Sequence, residues 1–331
     1  MSSLLESLSS TITPDAIGSI AKALGADAGA VTKGLGAVGP LLLGGLGKAT
    51  ATPAGAEALF KSLPADGGGM LGGLGSLVGS LFGGGGASGG SIVNQLLGSG
   101  SNAIGASLSR ALGFNVTPLI GMAAPVLMNF LSKAVKGGNL DASGLASMVA
   151  KEQAAVASDP ARAESLALVR SATEAGQRAS ALIEGYGADW AKVSLGPLAA
   201  TMLVTGSDLS GPIDSMKEVK AANQAMVDAA TAAGPASVLA SAIGGGIDIG
   251  AVKQLRELAP DKDKLMSLVR AGAAAVAQRS PAEASAYKAS VLKVAQATAE
   301  AAKDGGFLGI GGKLISDDEQ AALDALKAAL A

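Results

Sequence analysis

From Gly67 to Ser132 the chain carries one charged residue, Arg110. A stretch so poor in charge must be buried against its own domain, a second copy or lipid, because exposed apolar patches of that extent are rare on soluble monomers. Within it, Met70 to Phe82 places Leu71, Leu74, Leu77, Val78 and Leu81 at helical spacing. Gly72, Gly73, Gly75, Ser76, Gly79 and Ser80 make the other face. Each glycine costs a helix about 0.5–1 kcal/mol relative to alanine, so a helix here needs a partner surface. Gly75, Gly79 and Gly83 fall at every fourth position, a spacing that lets two helices approach closely. Leu71, Leu74, Gly75, Leu77, Val78, Gly79, Leu81 and Gly83 therefore form the candidate surface for self-association or membrane contact. The plainer alternative is a helix that folds back on its own domain. Gly83 to Gly90 reads as a flexible Gly/Ser linker, the centre of an insert at about 83–91.

The material for a core is unusual. Hydrophobic residues make up 49% of the chain but aromatics only 2%, so the core must be built from Ala, Leu, Val, Ile and Met. Ala and Leu favour helices, whereas the aromatic and β-branched residues that favour strands are scarce, which predicts an all-α fold. There is no cysteine and no histidine. That excludes disulfides, thiolate or imidazole metal sites, cysteine nucleophiles and any Ser-His-Asp arrangement. No catalytic site and no cofactor are expected. A net charge of −2 gives no basic footprint for nucleic acid. The N-terminus lacks the basic and apolar regions of a signal peptide, so the expected location is cytoplasmic.

Charge and glycine divide the chain near residue 150. Residues 1–150 hold 7 basic, 6 acidic and 31 glycine residues, against 18, 21 and 17 in residues 151–331. The first segment carries an approximate repeat. Ala16-Ile17-Gly18 with Ala23-Leu24-Gly25 recurs as Ala103-Ile104-Gly105 with Ala111-Leu112-Gly113. Pro40-Leu41-Leu42-Leu43 then recurs as Pro125-Val126-Leu127-Met128, each leading to a lysine, Lys48 or Lys133. Each copy closes on a short helix, Ala54 to Leu63 or Ala142 to Val149. Leu112 to Leu131 is long enough to span a bilayer, but Asn115, Thr117, Pro118, Pro125 and Asn129 interrupt it, which favours a buried helix.

The opening "SSLLESLSSTITPDAIGSIAKALGADAGAV", the "GPLLLGGLGKATATPAGAEALFKSL" block, the Gly-rich insert and "IGMAAPVLMNFLSKAVKGGNLDASGLASMV" resemble the YidB-like bacterial family of unknown function, over roughly residues 1–150. The resemblance implies a multihelical N-terminal domain with no established reaction or functional residues.

Residues 151–331 read as an Ala-rich helical bundle. Asp159-Pro160 opens one helix, and further helices follow at Trp190 to Val204, Asp214 to Ala232, 250–258, 262–278 and 282–303. Ser316-x-x-Glu319 is a capping box opening the last. Asp208, Asp214 and Glu218 are weak metal candidates, because oxygen clusters can hold Mg²⁺ or Ca²⁺, but their spacing misses the EF-hand pattern. Gly305 to Gly312 lacks a phosphate-loop ending and reads as a turn. Gly244-Gly245-Gly246 reads as a helix break. Tyr186, Asp189 and Trp190 cluster in a loop, where Trp190 is either a core anchor or a stacking surface. The functional expectation is a non-enzymatic structural or interaction protein that forms a homo-oligomer or binds a protein partner through its Gly/Leu-rich segment. The alternative is a peripheral membrane protein using residues 70–82.

Overall fold

The computed structural model describes residues 13–64, 86–206, 213–247, 249–258, 261–301 and 315–331. Among these the chain is helix and turn with no strand, so the fold is all-α. The α-helices are α1 Pro14–Leu24, α2 Ala28–Ala49, α3 Pro53–Ser62, α4 Gly86–Leu97, α5 Ser101–Leu112, α6 Thr117–Gly137, α7 Ala142–Ala157, α8 Ala163–Tyr186 and α9 Trp190–Thr205. They continue with α10 Ile213–Ala233, α11 Val238–Ile243, α12 Ile249–Arg256, α13 Lys262–Arg279, α14 Ala284–Ala301 and α15 Asp317–Leu330.

The contacts divide the chain into two compact units. The first holds residues up to Ser101 together with Ser107–Glu174, and the second holds Asn102–Ala106 and Ala175–Ala331. The compositional step at residue 150 is not where the division falls. That step lies inside α7, which is one continuous helix and packs against α2 and α3 through Leu145 and Val149. No Gly or Pro interrupts the sequence between Leu145 and Ser158, so α7 runs on to Ala157 rather than stopping at Val149.

The sequence repeat reappears as helix geometry. α1, α2 and α3 begin 87, 89 and 89 residues before α5, α6 and α7 (Pro14 and Ser101, Ala28 and Thr117, Pro53 and Ala142). The first helix of each copy ends on a glycine in the left-handed region, Gly25 at φ 62° and Gly113 at φ 78°, a conformation glycine adopts without a Cβ penalty. The second carries an internal proline, Pro40 or Pro125. In both cases the residue four positions earlier is glycine, Gly36 or Gly121. A proline ring presses on that carbonyl and donates nothing to it. Nothing lies within 4 Å of where a Cβ on either glycine would sit. The third helix of each copy starts the same way: the Gly55 N–H donates to Thr52 Oγ1 at 3.1 Å, and the Gly144 N–H donates to Asp141 Oδ1 at 2.7 Å.

The expected Gly/Ser linker is corrected in part, since residues 86–90 open α4, while 83–85 lie outside the described residues. Packing overrides the poor helix propensity there. α4 lies against both α2 and α6 and buries Leu96. At Gly45 a Cβ would stand 2.9 Å from the Leu96 carbonyl oxygen, so this approach requires glycine. The described part of the charge-poor stretch is largely covered within its own unit: Leu96, Leu108, Val116, Leu119, Leu127 and Leu131 are all buried.

The second unit surrounds α9. From Gly196 to Val204 every residue is buried, the mark of a helix enclosed on all sides; α11, α12, α13, α14 and α15 pack on it. Pro197 sits inside α9 and cannot donate to the Val193 carbonyl. The Tyr287 hydroxyl donates to that carbonyl instead, at 2.7 Å, from a fully buried side chain. Burial raises its pKa well above the ordinary tyrosine value, so it stays a donor. Two glycines make room for the phenol: a Cβ on Gly196 would lie 2.5 Å from Tyr287 Oη, and one on Gly272 would lie 3.0 Å from it. The glycine run at 244–246 ends α11, as its sequence suggests. The backbone on either side of it is held by side chains: Asn102 Nδ2 donates to the Ser241 and Ala242 carbonyls at 3.2 and 3.1 Å, and Asn223 Oδ1 accepts from the Ile247 N–H at 2.9 Å. The capping box at Ser316 is present in both directions.

Replacing Tyr287 with Phe leaves the buried Val193 carbonyl without its donor and should destabilise the second unit by about 1–3 kcal/mol. Pro197→Ala restores an N–H that can reach Val193, so the Tyr287→Phe cost should shrink in that background. A double-mutant cycle in urea, read by Trp190 fluorescence, measures both terms.

Candidate interaction surface

Helix α6 divides along its length. Leu119, Ile120, Ala123, Ala124, Leu127, Met128, Leu131 and Val135 are buried on one side. On the other, Pro118, Met122, Pro125, Val126 and Phe130 are half-buried and recur at the spacing of one helix face. No charged residue interrupts this side before Lys133. Elsewhere among the described residues the large exposed hydrophobic side chain is Val219, at 37%. The α6 face is thus a run of partly exposed apolar side chains among the described residues. Sequence reasoning put the candidate surface at Met70 to Phe82 and read Leu112 to Leu131 as buried core.

The candidate residues Leu71, Leu74, Gly75, Leu77, Val78, Gly79, Leu81 and Gly83 lie outside the described residues, as do Asp208 and the loop Gly305 to Gly312. Asp214 is the second residue of α10, and Glu218 stands one turn further along, half-buried. Among the described residues no three acidic side chains come together as a metal site would require.

Two helices, α2 and α6, are long and apolar enough to cross a membrane by length and composition. More than half of each apolar window is buried inside its unit, 61% and 56%, as in the core helix of a soluble protein.

The aromatic corner in the second unit is built for packing. Tyr186 ends α8, a 3₁₀ turn spans Gly187–Asp189, and Trp190 opens α9. Tyr186 and Trp190 meet edge to face, centroids 5.6 Å apart at 67°. The Tyr186 hydroxyl donates to Ser280 Oγ at 2.9 Å, and burial pushes its pKa upward. Arg279 lies 5.9 Å from the Tyr186 ring centre and donates to the Gly185 carbonyl at 2.9 Å and to Asp189 Oδ2 at 3.1 Å. Lys192 Nζ donates to Asp189 Oδ1 at 2.8 Å. Trp190 packs on the core as an anchor. Nothing in the local sequence pointed to Arg279, which arrives from 90 residues away.

Residues 6–134 match DUF937, a bacterial protein family of unknown function. The YidB-like resemblance of the N-terminal segment agrees with that match. The DUF937 segment begins ahead of α1 and ends within α6, so it contains both prolines and the whole half-buried α6 face. No curated protein and no solved structure matches this chain.

Hydrogen bonds from Lys192 and then Arg279 hold the Asp189 carboxyl below its ordinary range. A carboxyl lowered in the folded state favours folding above the ordinary range and loses that contribution as pH falls through the lowered value. Asp189→Asn should therefore flatten the acid limb of stability against pH. Urea midpoints measured from about pH 5 to about pH 2 check this.

Proposed function

We propose that this chain is a non-enzymatic interaction protein of the cytoplasm that associates with copies of itself through its Gly/Leu-rich N-terminal segment. The observation that supports this reading is the half-buried, uncharged side of α6 running from Pro118 to Phe130. Covering such a face removes apolar area from water at roughly 25 cal/mol per Å², and an unbranched Met and a Phe are side chains that interface cores favour. Absence of His and Cys from the whole chain supports the non-enzymatic part. The charged, Ala-rich residues 151–331 would then stay solvated.

Light scattering of the full chain should give a mass above the 31.8 kDa of one copy, rising with concentration. Val126→Lys, which places an ammonium in the middle of the face, should weaken association by at least about tenfold while leaving the helical circular dichroism unchanged. A variant lacking residues 70–82 measures what that stripe adds. A strict monomer at every concentration overturns the proposal, and co-sedimentation with lipid vesicles by the monomer would replace it with peripheral membrane binding.

A further inference from the structure

The uncharged side of α6 holds a polar side chain with no partner among the described residues. Pro118, Met122 and Pro125 lead to Asn129 at steps of four, three and four residues, and Ser132 follows at three. That alternation is the spacing of a helix-pairing seam. Asn129 is 9% exposed, and its carboxamide makes no hydrogen bond with a described residue. Similar groups are satisfied. Asn102 and Asn223 make the bonds given above, Asn115 Oδ1 accepts from the Thr117 N–H at 3.1 Å, and the Ser132 hydroxyl donates to the Pro64 carbonyl at 2.9 Å. Nor is the amide sealed away: the walled-in side-chain oxygen without a partner is Thr117 Oγ1, on the core side of the helix with Ile120 and Ala124. Covered polar groups nearly always find a hydrogen bond, so a nine-tenths buried amide in an apolar face points to a partner that supplies one.

We infer that the α6 helices of two chains lie side by side in parallel, with each Asn129 carboxamide hydrogen-bonded to its counterpart. This rests on the self-association proposed above and names the residue that sets its register. A primary amide offers both an acceptor oxygen and N–H donors, so it is its own complement across a two-fold axis. Acyl chains would cover Pro118, Met122 and Val126 but give the amide neither donor nor acceptor. Parallel alignment sets Met122 against Met122 and Val126 against Val126. Reversing one helix about Asn129 would set Met122 against Lys136 of the second copy instead. Lys133 and Lys136 are exposed near the end of α6, so in the parallel pair their charges stay in water. One asparagine in an otherwise apolar seam fixes register and the number of chains at some cost in affinity.

The chain has no cysteine, so a single introduced thiol reports without interference. In full-length Met122→Cys, parallel pairing puts the two thiols opposite each other, and air oxidation should give a covalent dimer on non-reducing gels. Reversal about Asn129 would part them by about 21 Å along the helix axis. Gln177→Cys, exposed on α8, sets the level of random collision. Asn129→Asp replaces the amide pair with two facing carboxylates of nearly the same shape. It should weaken association by at least about tenfold at neutral pH, with recovery as the carboxyls protonate near about pH 4 and with helical circular dichroism unchanged. A Met122→Cys dimer above the control, lost when Asn129→Asp is added at neutral pH, supports the pairing. A native chain that stays monomeric at every concentration overturns it together with the proposed self-association. Association without a Met122→Cys dimer, or association indifferent to Asn129→Asp, overturns the pairing alone and leaves self-association through another surface.

Discussion

A core with almost no aromatic residues can reach native density only if its helices come close enough for small side chains to fill the space between them. That requirement appears wherever this fold is tight. α4 can lie against α2 because Gly45 offers no Cβ to the Leu96 carbonyl. In the second unit Gly196 and Gly272 bracket the hydroxyl of the one fully buried tyrosine. The glycines that look like a weakness in propensity are contact points in the packing. Substituting them would trade a small gain in helix preference for a clash, with backbone at Gly45 and Gly272 and with the Tyr287 hydroxyl at Gly196.

The prolines follow the same economy with a different outcome in each unit. Inside α9 the carbonyl that Pro197 leaves without an N–H is met by Tyr287 across the core. In α2 and α6 the carbonyl in question belongs to a glycine beside open space. One arrangement locks a central helix to its neighbour; in the other, Pro40 is itself buried and Pro125 half-buried. The two prolines in the first unit sit 85 residues apart, while the helices that hold them begin 89 apart, so they differ in register by four residues, about one helical turn. They therefore keep the same side of the helix.

Much of this was legible in the sequence because its causes are local. The capping box at Ser316, the break at Gly244 and the extent of α9 around Pro197 all follow from residues within a turn of each other. The repeat was legible because caps and prolines recur at nearly constant offset. Three things were not. Residues 86–90 look like linker and are helix, because α2 and α6 supply the packing that propensity lacks. The compositional step at 150 reflects which faces meet water, and α7 crosses it without a break. Arg279 and Tyr287 act on partners 90 or more residues away, and only the fold brings them there. The apolar face of α6 lay between: its residues were visible, but which side the core would cover was not.

The distribution of ring chromophores has a practical side. Trp190, Tyr186 and Tyr287 are the only tryptophan and tyrosines in the chain, and all three belong to the second unit. The DUF937 segment, with phenylalanine as its sole ring residue, neither absorbs appreciably nor emits in the window where those rings do. A melting curve followed by intrinsic emission would report on half of this molecule and pass silently over the half that carries the repeat. Helical ellipticity would register both, and any gap between the two curves would be the spectroscopic outline of the first unit.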